Sequence, residues 1–213
     1  AVKAVRKSLV KNSLIIPLLN GIDHIEFLRR YFGSRIVAGM IGAIEARSEK
    51  PGLVTHASPQ IPAVELASKN FPRERITAVA DILRGAGLRS EVLASEEEVI
   101  WRKLVRLSAI AAATAAAQRP VGFVRSRPEW RRLLEGCVRE GAAVAQKERV
   151  DIDPEEVMRQ IDALPENLTT SLQDDYKNKL TGERDAIVGA VLRRAKKYAI
   201  PGPSLTHLFH LLS

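Results

Sequence analysis

The sequence predicts two parts, an α/β piece over residues 1–92 and an all-helical domain over residues 93–213. Three observations point there. Before residue 92, short apolar or glycine-punctuated runs of β type alternate with helical patterns, as in an α/β layer. From Ser95 onward no convincing strand pattern remains. The second stretch also holds an alanine tract, Ala109–Ala117, and alanine both favours helix and lets neighbouring helices approach closely.

Ala1 to Val10 reads as helix without a capping residue before it, and the first residue is not methionine, so the chain is expected to be a piece of a longer protein. Ser13 to Leu19 is a short apolar run closed by Asn20-Gly21, the pattern of a mostly buried strand ending in a turn. Pro17 places that strand at an edge or bulge, because proline cannot donate to a ladder. Asp23 can cap a helix that runs through Arg30 and ends at Gly33. Arg35 to Ala46 and Gly52 to Ser58 read as strands joined by a turn at Lys50-Pro51-Gly52. Arg73 to Ala86 has helical periodicity, with Ile76, Val79, Ala80 and Leu83 on one face and Gly85 and Gly87 as stops.

In the second part, Ser95 with Glu96, Glu97 and Glu98 forms a capping box and an acidic first turn for the long alanine-rich helix. A second helix is expected from about Pro128 to Arg149, and a third after Asp153-Pro154. The cluster Thr169-Thr170-Ser171 precedes another helical stretch. The last long helix begins near Thr181, carries Ala186, Ile187, Ala190 and Val191 on one face, and ends near Pro201-Gly202-Pro203.

The chain has 213 residues with a formal net charge of +8, which suits an anionic partner: a phosphate-bearing cofactor, a carboxylate substrate or nucleic acid. No apolar run approaches the roughly 18 residues that span a bilayer. Cys137 is the single cysteine, so no internal disulfide is available and a reducing, cytoplasmic setting is expected. Nucleic-acid binding finds no motif and no aromatic interleaving, since aromatics make up 5% of the chain. His207 and His210 fall on one helical face without an evident third ligand, so no metal is expected.

Lys103 stands out because Val99, Leu107 and Ile110, its neighbours on the helix face, are apolar. By pattern alone it either snorkels to water or has chemistry to do. Glu183 heads the last apolar stripe, where by pattern alone a first-turn glutamate in a helix capped by Thr181 is the stronger account. The run Asn167 to Asp174 gathers short hydrogen-bonding side chains at a helix start, which suits binding of anions or hydroxyls as well as simple capping. Asn20-Gly21 at a strand end either presents backbone to a nucleotide or is only a turn.

Six patches in this order resemble the ketopantoate reductase family over nearly all of the chain. They are Leu19-Asn20-Gly21-Ile22; Lys50-Pro51-Gly52; Trp101-Arg102-Lys103-Leu104; Glu140 through Ala145 with Glu148; Asn167 through Asp174; and Gly182-Glu183-Arg184-Asp185 with Gly189. The resemblance implies the remainder of a Rossmann-type NADP-binding domain over residues 1–92. A helical substrate-binding and dimerisation domain, of the 6-phosphogluconate dehydrogenase C-terminal kind, follows over 93–213. It implies NADPH as cofactor and a 2-oxo acid as substrate, ketopantoate being reduced to pantoate in pantothenate and coenzyme A biosynthesis. By the same resemblance Lys103 protonates the ketone oxygen, Glu183 contacts the substrate hydroxyl, Asn167 and Thr170 bind the substrate's polar ends, and Asn20 bridges cofactor and substrate.

Three departures stand against that pattern. Leu107 and Ala111 occupy positions where the family has asparagines, which removes two polar groups from the expected pocket. Gln173 and Glu183 are ten positions apart, one more than is usual in the family, a spacing that can displace the carboxylate. The glycine fingerprint of the family's first turn is not in these residues, so the chain as it stands is expected to bind NADPH weakly. The alternative functions are a non-catalytic helical interaction domain of the same family and a nucleic-acid binder.

Overall fold

A computed structural model of the chain describes residues 2–42, 46–56, 60–180 and 182–212. They form two compact units. The first comprises Ala1–Leu19 and Asp23–Ile100, the second Asn20–Ile22 and Trp101–Ser213.

The first unit is built on a three-stranded sheet. Its strands are β1 (Ala38–Gly42), β4 (Ala63–Ala67) and β5 (Arg89–Val92), in the order β1-β4-β5, with β1 antiparallel and β5 parallel to β4. Helix α3 (Arg73–Gly85) supplies the crossover between the two parallel strands, as parallel pairing requires. It buries Ile76 and Ala80 against Val37, Val64 and Leu66, with Val79 and Leu83 packed alongside, the face expected from the sequence. Gly87, at φ +89°, ends the helix, and the Leu88 N–H closes back on the Leu83 carbonyl at 3.1 Å.

Two further helices precede the sheet, α1 (Val2–Ser8) and α2 (Asp23–Phe32). Strands β2 (Ala46–Lys50) and β3 (Leu53–His56) make a separate hairpin, and Lys50 pairs with Leu53 across Pro51 and Gly52. Gly52 takes φ +82°, which a side chain would resist.

The segment Ser13 to Leu19 corrects one expectation. It is not a strand but a single parallel bridge, Ile15 to Ile36, with hydrogen bonds of 2.9 Å and 3.0 Å. Pro17, two residues on, has no N–H with which to continue the ladder. Ile16 instead packs on Gly39, where a Cβ would meet its Cγ2 at 2.5 Å. Strands β4 and β5 were not evident from the sequence. β4 has one alternation broken by a buried alanine, and β5, Arg-Ser-Glu-Val, has exposed or half-buried side chains.

Helix α4 (Glu96–Ala117) starts as expected, with the Glu98 N–H donating to Ser95 Oγ at 3.0 Å. Glu96 is buried and accepts from Arg29 and from the Lys69 N–H, tying the helix start into the first unit.

The second unit is all-helical. Its core runs along α6 (Pro128–Lys147), which buries Leu134, Cys137, Val138, Val144 and Ala145. Against it pack α5 (Val121–Ser126), α7 (Pro154–Asp162), α9 (Ala190–Lys197) and α10 (Pro203–Leu211), while α8 (Ser171–Lys177) packs through Leu172 on Ala111 and Ala115 of α4. Asp153 caps α7 by accepting from the Glu155 N–H, and Glu140 caps α10 by accepting from the Ser204 and Leu205 N–H groups at 2.8 Å and 2.9 Å.

The last long helix differs from the expected one. It opens with a π-helical turn, Asp185–Gly189, before α9. Ile187, Val188, Ala190 and Val191 are buried, whereas Ala186, expected on that face, is exposed, because the wider turn shifts the register by one residue. The expected cap Thr181 lies outside the described residues, as do residues 43–45 and 57–59 at the expected strand ends.

Candidate active site

Helix α4 presents Lys103 through the packing of its neighbours. Trp101, Leu104 and Val105 are at most 1% exposed, and Arg102 points to solvent, so Lys103 is left half-buried at the margin of the core. Trp101 sets the rotation of this turn. Its indole N–H donates to Glu148 Oε2 at 2.8 Å, and the other oxygen of Glu148 accepts from the Tyr198 hydroxyl at 3.2 Å and lies 3.2 Å from the Arg194 guanidinium.

Asn20 joins the two principal candidates. Lys103 Nζ donates to Asn20 Oδ1 at 3.0 Å, and Asn20 Nδ2 donates to Glu183 Oε2 at 2.8 Å. Chemistry fixes the orientation of the amide, since an ammonium can only donate and a carboxylate can only accept. All three residues belong to the second compact unit. Gly21 makes the approach possible. At φ +85° it lies against the π-helical turn, and a Cβ there would overlap the carbonyl oxygen of Ala186. The ten-residue spacing from Gln173 therefore does not carry Glu183 away from Asn20.

Asn167 and Thr170 sit differently. The loop holding Asn167 is pinned on α5, because the Val121 and Gly122 N–H groups donate to the Leu168 and Glu166 carbonyls at 2.9 Å each. Asn167, between those carbonyls, is exposed. The Thr170 hydroxyl is buried and caps α8 by accepting from the Gln173 N–H at 3.3 Å. It also lies 2.9 Å from the Thr114 hydroxyl, whose own proton goes to the Ile110 carbonyl at 2.7 Å. Thr170 is thus the donor to Thr114 and keeps one lone pair, enough to accept but not to donate.

Leu107 and Ala111 follow Lys103 by one and two turns on α4. Ala111 is buried with Ala115, Leu172 and Leu212, and Leu107 packs against them. A cavity of about 550 Å³ lies beyond Leu172 and Leu212, lined also by Tyr176, Lys177, Lys179, Leu180 and Arg184; neither Lys103 nor Glu183 lines it. Cys137 is buried, and desolvation, with the nearby Glu140 charge, pushes its thiol pKa well above the usual range, which makes it inert. His207 and His210 are exposed on α10, and among the described residues no group of three metal-ligating side chains forms. No helix among those residues is long and apolar enough to cross a membrane.

The resemblance points to Lys103, Glu183 and Asn20, which the structure joins by hydrogen bonds, but not to what aligns them. Gly21 and Ala186 act through backbone, and the only signal for Gly21 was its place after Asn20.

The model of the family described as "Ketopantoate reductase PanE/ApbA C terminal" matches residues 97–213, and that of "Ketopantoate reductase PanE/ApbA" matches residues 1–67. The chain belongs to the ketopantoate reductase family. An uncharacterized oxidoreductase of Bacillus subtilis, YkpB, is 29% identical over 98% of this chain and 70% of its own length. The 2-dehydropantoate 2-reductase of Halobacterium salinarum is 28% identical over 94% of this chain and 66% of its own. The chain therefore spans about two thirds of the curated relatives it matches. Among solved structures, the 2-dehydropantoate 2-reductase of Geobacter metallireducens superposes with a TM-score of 0.88 at 25% identity, covering 98% of this chain and 70% of that one. The fold is thus the remainder of a Rossmann-type α/β domain followed by the helical C-terminal domain of this family.

Proposed function

We propose that the protein to which these residues belong reduces a 2-oxo acid to a 2-hydroxy acid with NADPH, ketopantoate to pantoate being the reaction that its relatives' names support. In this reading residues 1–92 belong to the cofactor domain and 93–213 bind substrate. The observation that carries it is the series Lys103–Asn20–Glu183.

Bound NADPH supplies a hydride to the carbonyl carbon. Negative charge then develops on the ketone oxygen, and the Lys103 ammonium stabilises it and delivers the proton. The half-buried position of Lys103 strengthens that interaction relative to open water. Glu183, held by Asn20, accepts a hydrogen bond from a substrate hydroxyl. Asn20 itself retains one N–H and one carbonyl lone pair beyond its two bonds, which fits a residue that also touches the cofactor. Thr170 offers a lone pair and Asn167 a full amide to the substrate's polar ends. No glycine-rich phosphate turn is present in these 213 residues to complete the cofactor site.

A second reading of the substrate rests on Leu107 and Ala111. With both buried in or packed on an apolar cluster, that side of the site offers nothing to hydrogen-bond, which favours a less polar, similarly branched 2-oxo acid. The test is oxidation of NADPH in the presence of each 2-oxo acid, followed by absorbance, for the chain alone and for the chain preceded by the family's glycine-rich first turn. The reading predicts reduction by the extended protein, lost in Lys103→Ala. Failure to reduce any 2-oxo acid while NADPH binds would overturn it.

A further inference from the structure

The π-helical turn Asp185–Gly189 stands between Glu183 and the buried stripe of α9, and a pair of side chains braces it from outside. Arg193 donates from NH1 to Asp185 Oδ1 at 2.7 Å and from NH2 to the Asp185 main-chain carbonyl at 3.1 Å. The bridge passes across Gly189. A Cβ there would meet Asp185 Oδ1 at 2.5 Å and Arg193 NH1 at 3.2 Å, so only glycine leaves room for it.

The turn is also the surface on which Asn20 is seated, because Gly21 abuts the Ala186 carbonyl. A π turn holds one residue more than an α turn. Returning it to α geometry displaces everything on one side by one residue, about 100° around the axis and 1.5 Å along it. The Ile187 N–H donates to the Glu183 carbonyl at 2.9 Å, so Glu183 and Ile187 turn together, and with Ala190 and Val191 fixed in the core beyond the π turn the rotation falls on their side. A rotation of that size takes the carboxylate off Asn20.

We propose that Asp185, Gly189 and Arg193 form a positioning clamp that holds the π register and thereby keeps Glu183 on Asn20 and in line with Lys103. As an ion pair the bridge contributes little to stability, since Asp185 and Arg193 are 73% and 48% exposed. Its role is selection of one helical register over another. For the same reason replacing Arg193 leaves the fold intact. The catalytic consequence rests on the function proposed above, but the geometric one does not.

The test reads the Asn20 side-chain amide by NMR in the uniformly isotope-labelled chain, its signal identified by its loss in Asn20→Asp. In Glu183→Ala the signal marks the position without the carboxylate. Arg193→Leu and Gly189→Ala should each move it toward that position while the rest of the spectrum stays dispersed. If the signal stays at its wild-type position in the folded Arg193→Leu variant, the clamp does not exist. The second readout is turnover in the extended protein. Arg193→Leu is expected to cost no more than about 5-fold on the wild-type background and less than about 2-fold on Glu183→Ala, because an exposed pair can bias the register only modestly and a residue acting only through Glu183 has nothing left to position. Equal losses on both backgrounds would overturn the positioning role. A moved amide signal together with normal turnover in Glu183→Ala would keep the clamp and remove Glu183 from the proposed reaction.

Discussion

Glu148 is the residue whose removal should be felt furthest from where it stands. It caps the C-terminus of α6, where a carboxylate is disfavoured by the helix dipole, so its bonds must outweigh that position. Hydrogen bonds go to a fully buried indole N–H and to the Tyr198 hydroxyl, and an ion pair to Arg194, its two partners only 15% and 13% exposed. Glu148→Ala leaves the Trp101 N–H without an acceptor, at about 1–3 kcal/mol, and removes a largely buried ion pair from the Arg194 guanidinium. Together the loss should reach about 3–5 kcal/mol, the range for breaking a buried pair from one side. Urea unfolding followed by tryptophan fluorescence is the assay. The chain's two tryptophans, Trp101 and Trp130, both lie in the helical unit, so the signal reports that unit alone. With a urea dependence of about 2 kcal/mol per molar, the midpoint should fall by roughly 2 M. Glu148→Gln keeps an acceptor for the indole and should lose about half as much. A midpoint shift below about 0.5 M for the alanine variant would refute the view that Glu148 sets the rotation of α4 beneath Lys103.

Lys103→Ala in the extended protein should lower turnover about 100-fold or more with the fold unchanged by circular dichroism, within the range for general acid catalysis. Leu107→Asn should raise the specificity constant for ketopantoate relative to a less polar branched 2-oxo acid, as measured by competing the two. The 213-residue chain should bind NADPH only weakly, so a fluorescence titration saturating at micromolar cofactor would show that the phosphates find another seat. Cys137 should resist thiol reagents in the native chain and react at the rate of local opening, because burial holds the thiol protonated; immediate labelling of one thiol would contradict this.

The helical half was legible in the sequence because its signals are local. Ser95, Asp153 and Thr170 each cap a helix through a bond to a residue two or three places on, and such spacing is visible in one dimension. The strands were less so. β4 owes its place to pairing with β1 on one side and β5 on the other, partners distant in sequence, and its alternation runs over only four residues before a buried alanine breaks it. Pro17 marks a disturbance of the strand in the sequence, and in the structure a single bridge stands where the strand is expected. The π turn was illegible for a different reason: periodicity fixes an apolar face only if the number of residues per turn is constant, and Asp185–Gly189 changes it.

For the site, residue type and spacing left Lys103, Glu183 and Asn20 open to structural accounts and the family resemblance singled them out; the structure adds that they fall within one compact unit because Asn20–Ile22 associates with the helices rather than with the sheet that surrounds it in sequence. This has a chemical consequence. The groups proposed to polarise and protonate the ketone are assembled by the helical unit itself, through Gly21 on the π turn and Trp101 on Glu148, and do not depend on the strands. A change in the α/β unit away from Asn20 should therefore leave the Asn20 amide signal in place, whereas a change in the helical unit at Glu148 or Gly189 should move it.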